Sequence, residues 1–208
     1  MKLTITAAAL AGLALPAFGG LTVFDLAARY EGYWIDPNFT DGGGDPVGGD
    51  IVFETAFDDP TPGDPGDETG YLTVTAGGFP GGNAIPPITV ALPINADGLI
   101  DVTNIPVPEL DPDLLFNTGG DQFPTPTVNA TFNAFGELYI EALGFMGFDR
   151  IEYYGTALPD HVLFTADVYG LNGFPISLGS TIEAWVVPAP SGWLALLIAG
   201  GIVRRRRH

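Results

Sequence analysis

Carboxylates dominate the chemistry available to this 208-residue chain, which carries 25 of them. The densest group is Asp58, Asp59, Asp64, Asp67 and Glu68, set among Pro60, Pro62, Gly63, Pro65 and Gly66. Calcium takes roughly six to eight oxygens, and a glycine- and proline-rich loop can add backbone carbonyls to its carboxylates. These five residues are therefore the candidate calcium ligands. The spacing matches neither an EF-hand nor a glycine-aspartate nonapeptide repeat. A hydrated acidic loop has the same composition and is the simpler reading. Asp41, Asp45 and Asp50 among glycines, and the group Glu109, Asp111 and Asp113, are weaker versions of the same pattern. No other cofactor is required.

Catalytic arrangements are harder to find. Glu137 and Glu141 fall on one strand face, but four residues place their backbones about 13 Å apart. Glycosidase carboxyl pairs stand about 5 to 9.5 Å apart, so these two read as surface carboxylates. His161 follows Asp160 and precedes a strand-like run, with no Gly-x-Ser-x-Gly element anywhere in the chain. There is no phosphate loop, no dinucleotide fingerprint and no cysteine. The expectation is a non-enzymatic protein. Tyr30, Tyr33, Trp34, Tyr153 and Tyr154 offer an aromatic platform for a sugar, with ordinary strand packing as the competing reading.

Charge narrows the partners. Every acidic residue lies between Asp25 and Glu183, where only Arg29 and Arg150 are basic, so the body carries a formal charge of −23. Nucleic acid is excluded, since phosphate contact requires basic side chains. Such a body suits saline surroundings, where salt screens its self-repulsion; ordinary acidic solubility explains it equally well.

The elements that must position these groups are short and apolar. Gly and Pro together number 48, and they divide the chain into runs rich in Val, Ile, Thr, Phe and Tyr. Strand-like runs cover 21–27, 30–35, 50–57, 71–76, 88–94, 99–105, 127–134, 137–143, 149–154, 161–169 and 180–187. Asp97-Gly98 marks a tight turn between two of them. In 127–134, Val128, Ala130, Phe132 and Ala134 alternate with Thr127, Asn129, Thr131 and Asn133. About ten strands without a convincing helix predict an all-β fold: a single antiparallel β-sandwich or jelly-roll domain over residues 20–186.

Both ends of the chain differ from this body. Met1-Lys2, an apolar run over 3–15 and Ala17-Phe18-Gly19 predict a secretory signal peptide over residues 1–19. At the far end, Val187, Pro188, Ala189 and Pro190 precede an uncharged run. That run holds Trp193, Leu194, Leu196, Leu197, Ile198, Ile202 and Val203, and Arg204, Arg205, Arg206 and Arg207 follow it. Two prolines force a helix to start after them. Residues 192–203 then cover about 18 Å of a hydrocarbon core near 30 Å, a short transmembrane helix whose arginines stay cytoplasmic. The order of motif, apolar helix and arginine cluster resembles the PEP-CTERM sorting signal of exported bacterial proteins, in its Val-Pro-Ala-Pro variant. The resemblance covers residues 187–208. It implies delivery by the secretion machinery, recognition by a membrane-embedded exosortase, and removal of the tail on transfer to the cell surface or extracellular matrix. It also implies association with extracellular polysaccharide. The expected function is that of an exported structural or adhesive protein, with a secreted carbohydrate-binding module, calcium-assisted, as the alternative and a small hydrolase as a more remote one.

Overall fold

In a computed structural model, residues 20–78, 86–108, 124–145 and 148–188 are described. The expected signal peptide and apolar tail helix lie outside them, as do Ala189, Pro190, Glu109, Asp111 and Asp113. Among the described residues no helix is long and apolar enough to cross a membrane.

The described residues form ten strands: β1 (Arg29–Thr40), β2 (Pro46–Asp58), β3 (Thr69–Ala76), β4 (Ile88–Pro93), β5 (Ile100–Pro106), β6 (Thr127–Phe132), β7 (Glu137–Leu143), β8 (Phe148–Ala157), β9 (His161–Gly170) and β10 (Pro175–Val186). They build one sheet in the order β4-β3-β2-β1-β10-β9-β8-β7-β6-β5. Every described pairing is antiparallel. Except for β4 and β5, each strand bonds its neighbour in sequence, and β10 returns to β1 from Tyr30↔Val186 to Ile35↔Thr181. The result is an up-and-down meander nearly closed into a barrel. This corrects the sandwich expectation: the strands make one sheet rather than two stacked ones, and no connection crosses over as a jelly-roll requires.

The opening lies between β4 and β5, which follow one another in the chain but do not pair. The expected turn forms, with Gly98 N donating to Asn95 O and Asn95 N to Leu99 O. Gly98 has φ +73° there, and a Cβ would meet Thr22 at 2.9 Å. Past the turn the strands separate. Ile94 N donates to Glu68 O, tying the end of β4 to the β2–β3 loop. On the other side, β5 is bulged between Val102 and Ile105, with Asn104 at φ +54°. Pro93 and Pro106, at the ends of the two strands, have no N–H to offer a ladder.

Alternation then sorts the side chains. Tyr30, Ile51, Phe53, Phe132, Val162, Phe164, Ile182 and Ala184 pack with Val23 and Ile94 in one apolar group. Leu92, Val107, Val128, Ala130, Ala142, Phe145 and Ile151 form a second, and Ile100 and Tyr153 pack against both. Burial there pushes the Tyr153 hydroxyl up to about 12. Close strand approach needs Gly32, where a Cβ would run into β10 at Glu183 and Ala184.

Residues 21–27, expected as a strand, instead strap one end of the barrel. Leu21 N donates to Ala134 O, Val23 N to Gly98 O, and Thr55 N to Ala28 O. A 3₁₀ turn over Val23–Asp25 is capped by Thr22, whose N and Oγ1 both donate to Asp25 Oδ2 at 2.8 Å. These bonds pull the Asp25 carboxyl below the usual carboxylate range. The strap ends at Tyr30, 1% exposed, whose hydroxyl accepts from Ala27 N and donates to Leu158 O, each at 2.8 Å.

Candidate functional site

The most chemically equipped surface is the outer face of β1, β10 and β9. Register sets Tyr33 opposite Glu183 and Trp185 opposite both Glu31 and His161. Strand alternation sends Tyr30 and Ala184 inward, so Tyr33 and Trp185 face out, 38% and 45% exposed. The Tyr33 and Trp185 rings have centroids 6.0 Å apart, and His161 lies 5.7 Å from Trp185 on the neighbouring strand. Glu183 ties the group together. It accepts from Tyr33 Oη at 2.6 Å, and its other oxygen stands 3.3 Å from His161 Nε2. The Tyr33 bond, with help from His161, outweighs partial burial and holds the Glu183 carboxyl below the usual range. The same bond pushes the Tyr33 hydroxyl up. Three rings, an ionised carboxylate and the exposed Leu163 beside them make a surface that can stack and hydrogen-bond a ligand.

A polar band continues across β9, β8, β7 and β6. Tyr139 and Tyr154 are a cross-strand pair, and a shallow groove runs over them, lined also by Thr131, Asn133, Glu137 and Thr156. Glu141 faces Glu152, which faces Asp167. Like charges so opposed repel, and each has its own donors. Asn129 Nδ2 bonds Glu141 at 2.6 Å and Arg150 Nε bonds Glu152 at 2.8 Å. Tyr154 Oη and Gly179 N bond Asp167 at 3.1 and 2.7 Å. Glu137 accepts from Asn133 Nδ2 at 2.6 Å. Arg150 also stacks over Tyr169 at 3.8 Å, while Arg29 pairs with Glu31 and Glu54. Both cations of the body are thus held in ion pairs on the surface.

The five proposed calcium ligands fare differently. Asp58 ends β2, and Asp59, Asp64, Asp67 and Glu68 lie in the loop that follows. Burial, then the charges of Asp59, Asp64 and Glu68, push the Asp67 carboxyl up. Its Oδ1 is buried without a hydrogen-bond partner. Glu68 is engaged by Gly66 N at 2.7 Å. Among the described residues no three carboxylate or imidazole groups are placed to hold a metal ion. As placed, these residues repel one another, and among the described residues they present no converged set of ligands. Asp41 uses its Oδ1 to close its own loop, accepting from Gly43 N and Asp45 N.

One cluster escaped the sequence reading. Asp36, 8% exposed, accepts from Ser177 Oγ at 2.7 Å and from Asn38 N at 2.9 Å. Ser180 Oγ stands 3.1 Å from Ser177 Oγ. Burial alone would raise the Asp36 carboxyl; the bonds from Asn38, Ser177 and Ser180 outweigh it and lower it. The group satisfies polar atoms where β10 shifts register against β9. An acidic residue within a strand, facing Ser-x-x-Ser on another, was its one visible sign. Of the five aromatic residues weighed as a platform, Tyr33 and Tyr154 are exposed, while Tyr30 and Tyr153 pack in the core and Trp34 donates Nε1 to Gly77 O at 2.7 Å.

No family model, curated protein or solved structure matches this chain.

Proposed function

We propose that this chain is an exported protein, sorted by its tail to the cell surface or extracellular matrix, with a non-enzymatic barrel of structural or adhesive role. The observation that supports this reading is where the chain leaves the barrel. Leu21 is bonded to the β6–β7 turn, and Val187 N donates to Arg29 O at the start of β1. Both strand ends belong to the same end of the barrel. Gly20, the first residue after the proposed signal peptide, and Pro188, within the proposed sorting motif, therefore lie at one end. A body tethered there would stand on the membrane through residues 191–203 and turn the opposite loops outward. Val187, Pro188, Ala189 and Pro190 would be met by an exosortase-type enzyme at the membrane face, with Arg204, Arg205, Arg206 and Arg207 held in the cytoplasm. The net acidity suits a hydrated, saline exterior.

The test replaces Pro188 and Pro190 with alanine and fractionates the native host. A tail-bearing precursor retained in the membrane fraction is expected. Unchanged release to the surface or medium would contradict the sorting role.

A second reading is favoured by the rings of Tyr33, Trp185 and His161. An exposed aromatic row with a fixed carboxylate is what a carbohydrate-binding module presents, and it is compatible with the same address.

A further inference from the structure

From the geometry of this row we infer that Tyr33, Trp185 and His161, with Glu183 at their centre, are a saccharide-binding surface for neutral or amino-sugar glycans. The inference rests on the adhesive reading of the barrel and names its ligand class. The three rings come from three adjacent strands, β1, β10 and β9, and step along the sheet at 6.0 and 5.7 Å. Each step is close to the length of one pyranose unit. Trp185 leaves 45% of its surface and Tyr33 38% in solvent, on the outer face of a sheet whose inner face is a packed core. A pyranose has an apolar face of C–H groups and a rim of hydroxyls. The rings match the first, and Glu183 with the neighbouring Glu31 supplies acceptors for the second. The carboxylate is preset: the Tyr33 and His161 bonds fix it before any ligand arrives.

Charge selects among the ligands that stack on rings. A body of −23, with Glu31 and Glu183 beside the row, repels phosphates, sulfates and uronates. Single-stranded nucleic acid stacks on aromatic rings too, but only where a basic groove holds its backbone. Neutral glycans meet no such penalty. A polymer of glucosamine gains attraction to Glu183.

The experiment uses the purified full chain and calorimetric titration with β-1,4-linked hexamers of N-acetylglucosamine and of glucosamine, with an α-1,4-linked galacturonate hexamer, and with a proline-rich decapeptide. Binding of either of the first two is expected, with none of the galacturonate hexamer. Trp185→Ala should weaken it at least tenfold, which is about 1.4 kcal/mol. Tyr33→Phe keeps the ring but releases the Glu183 carboxylate, so it should weaken binding measurably, though less than Trp185→Ala does. Thermal melts check that each variant folds, as exposed positions allow. Failure of both amino-sugar hexamers, equal binding by Trp185→Ala, preference for galacturonate, or binding of the peptide in their place would each overturn the inference. Sorting is read separately from the chain termini, so this surface can fail while the export reading stands.

Discussion

Tyr30→Phe tests whether the strap over residues 20–28 is part of the fold or merely lies on it. The substitution keeps the ring, which is 1% exposed, so no cavity opens. What it removes is one hydroxyl that joins Ala27 N to Leu158 O at 2.8 Å each. Those two half-buried backbone groups belong to the strap and to the β8–β9 turn, so the hydroxyl staples them together. Leaving one buried group unsatisfied costs about 1 to 3 kcal/mol. Water reaching the strap recovers some of this, and about 2 kcal/mol of destabilisation is expected. For a body of this size that lowers Tm by about 4 to 8 °C. Circular dichroism melts measure the shift. Amide exchange adds the location: Leu21 N and Val23 N, bonded to Ala134 O and Gly98 O, should lose protection more than the core strands. A Tm within about 1 °C of the parent, with unchanged exchange at these amides, would refute the reasoning.

Other expectations follow from the charges. Asp36 has its carboxyl lowered, so its stabilisation is full above the unfolded value near 3.8 and is lost as pH falls through the folded one. Ser177→Ala removes a donor at 2.7 Å, and acid unfolding followed by circular dichroism should begin at higher pH; an unchanged midpoint would contradict the assignment. Asp67 has the opposite sign: its raised carboxyl strains the fold at neutral pH, and that strain is relieved on protonation. With only Arg29 and Arg150 to offset the 25 carboxylates of the body, Tm should rise between low salt and about 0.5 M sodium chloride as repulsion is screened. A fall would mean that the Arg29 and Arg150 pairs outweigh the repulsion. Calcium at matched ionic strength should add nothing further; a saturable rise in Tm at micromolar calcium would show that the carboxylate loops close into a site.

Strand positions were legible because glycine and proline punctuate the chain and each run alternates cleanly, as in Val128, Ala130 and Phe132. How those strands associate was not. A meander and a jelly-roll use the same alternating runs, and the choice rests on β1 meeting β10, a pairing across most of the chain. The strap was misread because Leu21, Val23, Leu26 and Ala27 look like a strand; they are apolar because they cover a barrel end. The Asp97-Gly98 turn was visible, but the separation of β4 from β5 depends on Glu68 and on the bulge at Asn104. Of the aromatic row, Tyr33 was found and Trp185 was not. Its exposure follows from register with β9 and β1, which local sequence does not carry.

The central claim is the address, and mass spectrometry of the protein recovered from its native host tests it most directly by reading both termini. The account predicts a chain that starts at Gly20 and ends within or just past Val187-Pro188-Ala189-Pro190, without the arginine cluster. A surface protein that retains Arg204, Arg205, Arg206, Arg207 and His208 would contradict cleavage by a sorting enzyme and indicate a permanent anchor.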